Sequence, residues 1–375
     1  MGDNDGLNQS ADEASLLITC LRGESFVVPH NMDWHSLLGL ATVNGVLHHV
    51  YQAFQEEDIA MPDFFEAAVE ERSSVARLLA AELEDLLQHL ADHKIEVLPL
   101  KGPVLAETLY GDAAMRASND LDLLVHCGDF PRAEALLFDL GFVACSEADT
   151  YHRRFVRGEV SVELHFGIAP PLYFPFDQDG IWSRARRGEF RGKPIRVMAE
   201  DDLVLFLCLH GLKHTFSKLI WILDVAQALG TMRHDGYEVL TQHARQQGQE
   251  PCLMVCCEVV REMLPQRLPH GMGAVIARSS EAAAKARRFA ARLFAGDMEQ
   301  INNSSFWSLY LQLEPSARKR WFCRLNYFAP TAADYQWAES HRINRGLALF
   351  LRPFRLLRKY GPLRAWQIVF PPAVK

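Results

Sequence analysis

The spacing of apolar positions changes period along the chain, and each change predicts a different element. Over residues 33–54, DWHSLLGLATVNGVLHHVYQAF, the positions Leu37, Leu38, Ala41, Val46 and Val50 recur at helical spacing. A longer helix is predicted across 63–93, where ARLLAAELEDLLQHLADH sets leucines against exposed acids. The pattern then shortens. IEVLPL reads as a buried strand, and GPVLAETLYG as a helix with Pro103 in its first turn and Gly111 just past its end. LDLLVHC reads as a strand, and FPRAEALLFDLGF as a helix closed by Gly141. YHRRFVRGEVSVELHFGI reads as two strands about the turn Arg157-Gly158-Glu159. From residue 200 the period is helical again, in EDDLVLFLCLHGLKHTFSKLIWILDVAQALG, PCLMVCCEVVREML and EAAAKARRFAARLFAG, and the acids at 200–202 suit a first helical turn. Residues 1–10 read as a loose tail, and the Pro- and Gly-bearing stretches 168–180 and 265–273 as loops. The order predicts an α+β fold: a helical region over 1–93, a small mixed-sheet α/β core over 94–199, and a second helical region over 200–375.

Side chains alternate along a strand, so Asp120 and Asp122 project to one side while Leu121 and Leu123 enter a core. Two like charges held this close favour a cation between them, and Mg²⁺ with oxygen ligands is the natural one. In VSVELHF the residues Val160, Val162, Leu164 and Phe166 form an apolar face, and Ser161, Glu163 and His165 a polar one. Glu163 would then be a third carboxylate beside the pair, which is what two divalent ions need to bridge a triphosphate and an attacking hydroxyl. Gly102 lets backbone approach a ligand closely, the helix starting there points free N–H groups at phosphate, and Lys101 adds a point charge. Arg116 either reaches the same phosphates or pairs with the aspartates.

The joint order of strand, Lys-Gly, helix, Arg116, acidic strand, helix and VELH strand resembles the nucleotidyltransferase superfold of DNA polymerase β. More closely, the chain resembles a bacterial family of uncharacterised nucleotidyltransferases (NTP-transferase family 5). WHSLLGLATVNGVLHHVYQAF, LPLKGPVLAETLYGDAAMRASNDLDLLV, VELHFGI, IWSRARRGEFRGKPIRVMAEDDLVLFLCLHGLKH and LIWILDVAQAL carry the resemblance, over about residues 33–230. In the superfold the glycine is commonly followed by serine; here Pro103 stands there. The resemblance implies a polymerase-β-like core in which Asp120, Asp122 and Glu163 are catalytic metal ligands for Mg²⁺ or Mn²⁺. It implies transfer of NMP from ATP or another NTP to a hydroxyl or phosphate acceptor, releasing pyrophosphate. Small-molecule, peptide, glycan and RNA acceptors stay open. The alternative is a non-catalytic module of the same fold that binds a nucleotide or docks a partner.

Beyond residue 200, His210, Lys213, His214, Ser217, Trp221 and Asp224 recur every three or four residues, a polar and partly aromatic face of one helix. Read functionally, it is a wall for nucleotide or acceptor, with Lys213 on phosphates, His210 near base or ribose and Asp224 orienting a neighbour. Read structurally, it is a solvated face tied by Asp–Lys or Asp–His pairs. His165 reads equally as a site residue or as a core histidine, and His48-His49 as surface or packing. The terminal HRINRGLALFLRPFRLLRKYGPLRAWQIVFPPAVK is basic and amphipathic. It reads first as packing on the acidic N-terminal helices, then as a contact for an anionic membrane surface, a protein or nucleic acid.

Composition narrows this little. A chain of 375 residues, 49% hydrophobic, builds a real core and has room for two or three domains or one enlarged one. The formal net charge of -8 argues against general coating of nucleic acid and leaves a local basic patch open. The 8 cysteines include no CxxC pair, so Cys252, Cys256 and Cys257 read as buried free thiols in a reducing compartment. The first residues lack the pattern of a signal peptide, and no apolar stretch is long enough to span a bilayer, so a cytoplasmic protein is expected.

Overall fold

A computed structural model describes residues 5–145, 151–169, 177–233 and 236–277, with isolated positions beyond 277. Four helices come first: α1 (Asp5–Arg22), α2 (Trp34–Val43), α3 (Leu47–Glu56) and α4 (Asp63–Asp92). The expected tail over 1–10 is thus helical from Asp5, continuous with a turn that buries Leu16, Leu17, Cys20 and Leu21. The helix expected across 33–54 is two helices. Asn44 ends α2 and Gly45 follows at φ +72°, while Gly45 N–H and Val46 N–H return to the Thr42 and Ala41 carbonyls. That is a Schellman ending, and its left-handed residue is the glycine.

The α/β segment follows as β1 (Val97–Pro99), α5 (Gly102–Tyr110), β2 (Leu121–Val125), α6 (Phe130–Asp139), β3 (Val143–Ala144), β4 (His152–Arg157) and β5 (Val160–His165). These strands make one mixed sheet in the order β1-β2-β5-β4-β3, parallel at β2/β5 and antiparallel elsewhere. Gly111 and Gly141 close α5 and α6 at φ +79° and +85°, where the sequence places those stops. Then come α7 (Gln178–Arg184) and a separate hairpin, β6 (Arg186–Phe190) with β7 (Lys193–Val197). The chain continues with α8 (Glu200–Lys213), α9 (Leu219–Thr231), α10 (Gly236–Gln246), α11 (Glu250–Met263) and α12 (His270–Ala277). Two expected loops are partly helical: α7 begins inside 168–180 and α12 inside 265–273. EAAAKARRFAARLFAG and the basic terminal stretch lie outside the described residues.

Two apolar cores hold these layers. One joins α1, α2, α3 and the start of α4 to α8, α9 and α11, through residues such as Leu37, Phe54, Phe65, Leu205, Leu223 and Val255. The other packs the second half of α4 (Leu79, Leu83, Leu86, Leu90) and α6 on the apolar side of the sheet, Leu121, Leu123, Val162 and Leu164. Helices that precede and follow the α/β segment therefore frame the polar side of the sheet. Cys256 and Cys257 are buried free thiols, as composition suggested, whereas Cys252 is only partly buried. Among the described residues no helix is long and apolar enough to cross a membrane.

Candidate active site

The register of β2 against β5 sets the site. Asp122 pairs with Glu163 across the parallel ladder, and Leu121 with Val162. Since one strand face is committed to the core, the carboxylates stand side by side on the other. Asp120 precedes β2 by one residue and lines the same cavity, of about 400 Å³, as Asp122 and Glu163. Two positions beyond Glu163, His165 Nε2 lies 3.1 Å from Asp122 Oδ1 and 3.5 Å from Glu163 Oε2. Both partners are acceptors, so Nε2 carries the proton. Nδ1 of His165 is buried without a hydrogen-bond partner.

Lys101 closes the group from the other side, its Nζ 3.0 Å from Asp122 Oδ2. The turn that delivers it needs glycine: Gly102 has φ +72° and starts α5, and a Cβ there would lie 3.6 Å from the Asp120 carbonyl oxygen. The expected point charge thus rests on the aspartate in this structure. Burial acts to raise the Asp122 carboxyl, but the Lys101 ammonium and the His165 hydrogen bond override it and hold Asp122 well below the usual carboxylate range. Asp120 moves the other way, raised by burial and by the charge of Asp122. The hydrogen bond from His165 keeps Glu163 low. One site thus holds carboxylates displaced in opposite directions, a pattern that clusters at functional sites.

The facing wall comes from α8 and α9. The single helix expected here breaks at 214–218. Thr215 and Phe216 take φ +53° and +49°, and their N–H groups return to the Leu212 and Gly211 carbonyls. This is again a Schellman ending, now with threonine at the left-handed position, and Phe216 folds back over Gly211. The break still brings His210, Lys213, His214, Lys218 and Trp221 to the cavity; Ser217 and Asp224 do not line it. His210 meets Trp221 edge-on at 5.3 Å and His214 at 4.8 Å. Burial, with Lys101 nearby, holds the His210 imidazole well below its ordinary value, and burial with Lys213 brings His214 down to about 4. Both imidazoles are therefore neutral at pH 7. Lys213 Nζ donates to Tyr151 Oη at 2.6 Å, so the side chain expected on phosphate has a protein partner at the cavity edge.

Asp224 is buried behind Arg116, whose Nε donates to both of its oxygens at 2.9 and 3.1 Å, and Tyr110 Oη donates to Oδ1 at 2.9 Å. Arg116 therefore answers to Asp224, while its Nη1 reaches Ser118 and its side chain still lines the cavity. Asp224, expected to orient a neighbour, makes its ion pair with this arginine. Sequence reading missed Tyr151, His152 and Lys218 as lining residues. His152 was findable, since it sits opposite His165 across β4/β5; Lys218 depended on the helix break. His48 and His49 lie away from the carboxylates: His48 bonds Ser73, and His49 packs edge-on against Tyr110.

Ligand atoms of Asp122, Glu163 and His165 fall within 4.8 Å of one another. With Asp120 alongside, this oxygen-rich set fits a divalent cation, and its carboxylates already draw an ammonium and an imidazole as counter-charge. The tightest group includes His165, which sequence reading left undecided.

The sequence matches the family described as uncharacterised nucleotidyltransferase over residues 30–265, and the chain belongs to that family. No curated protein sequence matches it. Among solved structures it is similar to the crystal structure of ANT(2'')-Ia in complex with adenylyl-2''-tobramycin, at 15% identity and TM-score 0.35, covering 44% of this chain and 97% of that one. The solution structure of the antibiotic-resistance factor ANT(2'')-Ia gives 16% identity and TM-score 0.33, over 44% of this chain and 91% of the other.

Proposed function

We infer that this nucleotidyltransferase-family chain transfers NMP from an NTP to a hydroxyl or phosphate acceptor and releases pyrophosphate. The observation that carries the reading is the lateral pairing of Asp122 with Glu163 on parallel strands, at the floor of a cavity also lined by Asp120, Lys101, Arg116 and Lys213. Mg²⁺ or Mn²⁺ held by Asp120, Asp122 and Glu163 would supply charge neutralisation and Lewis acidity at the α-phosphate. Lys101, the N-terminus of α5 at Gly102 and Arg116 take the charge of the β- and γ-phosphates, Arg116 being aimed by Asp224. Glu163, held as a carboxylate, accepts a hydrogen bond from the acceptor hydroxyl and orients it for in-line attack. His165 fixes the two carboxylates relative to one another. The neutral wall of His210, His214 and Trp221 offers aromatic faces to a base or acceptor. Catalysis here is positioning and preorganised charge rather than covalent chemistry.

The test is incubation of the full chain with α-labelled NTPs, Mg²⁺ and a cell extract. Label should pass to an acceptor with the wild type and fail to pass with Asp122→Ala; equal labelling by that variant would remove Asp122 from the reaction. The second reading is a binding-only module, and one observation favours it: Lys101 and His165 already supply counter-charge at Asp122. Mg²⁺-dependent ATP affinity with no turnover on any acceptor would select it.

A further inference from the structure

A second chamber, of about 250 Å³, lies where α1, α3, the end of α5 and α9 meet, and it shares no lining residue with the catalytic cavity. Its cation is Arg267, from the turn that follows α11. Arg267 Nε donates to the Leu21 carbonyl at 2.7 Å, which pins the guanidinium on the end of α1. Among the described residues its Nη groups form no ion pair, and burial lowers its pKa. Glu56, also in the lining, is exposed and accepts from Gln52 Nε2 at 2.8 Å, so it stands at the mouth.

His49 supplies the second signal. It packs edge-on against Tyr110 with ring centres 4.9 Å apart, and both its ring nitrogens are buried without a hydrogen-bond partner. Burial, with Arg267 beside it, brings the imidazole down to about 3, so it is neutral and offers one N–H and one lone pair. Buried polar atoms are nearly always paired, and a ring with both nitrogens unanswered calls for a cause. Packing is not that cause, since a phenylalanine would fill the same space without stranding two polar atoms. Gln227 Nε2 donates to the Leu109 carbonyl at 2.9 Å, which leaves its side-chain oxygen as an acceptor. Tyr110 closes the wall with its hydroxyl already committed to Asp224. The Cys20 thiol, pushed up to about 12 by burial, adds an uncharged surface. At ~30 Å³ per water the chamber has room for about eight waters, the scale of a three- or four-carbon acid and too little for a nucleoside.

We propose that this chamber is a ligand site, separate from the catalytic one, for a small carboxylate that also carries a hydrogen-bond donor: an amino acid or a hydroxy acid of three or four carbons. The carboxylate answers Arg267 and the N–H of His49, because a guanidinium with free Nη groups receives a planar carboxylate through parallel bonds. The amine or hydroxyl answers the lone pair of His49 and the Gln227 oxygen, and an ammonium is drawn further by Glu56 at the mouth. Binding is reversible and needs no step of nucleotidyl transfer.

The experiment is calorimetric titration of the full chain with L-alanine, L-serine, L-threonine, L-aspartate, L-lactate, L-glycerate and L-malate, with acetate as the acid that lacks a donor. At least one probe should bind with Kd below ~1 mM, and acetate about tenfold more weakly or not at all. His49→Phe keeps a ring on Tyr110 and removes both nitrogens, so it should weaken the best probe about tenfold while melting at or above the wild-type temperature. Arg267→Gln should weaken it by about as much. Glu56→Gln should weaken an amino acid about fivefold and leave a hydroxy acid within about twofold, which tells the two sources apart. Lys101→Ala, in the other cavity, should leave the probe's affinity within about twofold. A full panel that fails to bind overturns the site, and so does binding abolished by Lys101→Ala but kept by Arg267→Gln. His49→Phe that binds as the wild type does and melts lower would make His49 a packing residue and overturn it as well.

Discussion

Two acidic clusters in this protein look alike on paper and differ in how their charge is answered. Asp122, Glu163 and His165 bring ligand atoms within 4.8 Å of one another, and so do Asp201, Asp202 and His243. In the second, Arg184 grips fully buried Asp202 with both ends of its fork, Nε on Oδ2 at 2.8 Å and Nη2 on Oδ1 at 2.9 Å, and His243 bonds Asp201 through Nδ1. A guanidinium in that geometry saturates the carboxylate and ties α7 to the start of α8. In the first, the counter-charge comes from a lysine and a histidine, each on one oxygen of Asp122, rather than from a guanidinium fork, and the group faces a cavity. The lesson is that an acid–histidine cluster is told apart by its cation: an arginine fork marks a brace, whereas a lysine and an open face mark a place for something else to bind.

The largest effect separates the clusters by activity. Asp122→Asn should lower nucleotidyl transfer about 10³-fold, worth ~4 kcal/mol of barrier, in a variant whose circular dichroism spectrum matches that of the wild type. The converse is Asp202→Ala, which strips the partner from Arg184 and should cost roughly 3 kcal/mol of stability in denaturant titration; a variant as stable as wild type would break the comparison. Third, saturating Mn²⁺ should raise the melting temperature of the wild type by ~5 °C through mass action on the folded state. Asp201→Asn should keep that shift and Glu163→Gln should lose it; the reverse outcome would move the ion to the second cluster. The smallest effect concerns Asp224, which is held by an arginine as Asp202 is, but by one that lines the cavity. Asp224→Asn should raise the nucleotide KM about fivefold, ~1 kcal/mol, with kcat within twofold. A fall in stability with KM unmoved would class it with Asp202.

The strands were the legible part of this chain. Alternation in LDLLV and VSVELH assigns Asp122 and Glu163 to one face before any pairing is known, and the two strands do lie side by side in register. Gly111 and Gly141 mark real helix ends because their left-handed φ excludes most other residues. The break after α2 had the same signal, Asn44-Gly45, overridden by the helical spacing on both sides. The break after α8 had none, since Thr215 and Phe216 hold conformations that glycine normally advertises. The hairpin of β6 and β7 turns on Arg191-Gly192, both at positive φ, too short a cue in a charged stretch. The partners of Lys101 and Arg116 were hidden for another reason. Each had several carboxylates within plausible reach; the Leu100 N–H on the Asp122 carbonyl sets Lys101 beside Asp122, and α9, packed on α5, carries Asp224 to Arg116.

Gly211 has no side chain and lines no part of the cavity, yet a methyl group there would fall 2.2 Å from Cε1 of Phe216. The ring would have to swing out, and with it the hinge that sets α9 relative to α8. His214, Lys218 and Trp221 ride on that hinge. The width of the cavity is therefore tied to a missing carbon one helical turn away, at a position that a survey of lining residues would pass over.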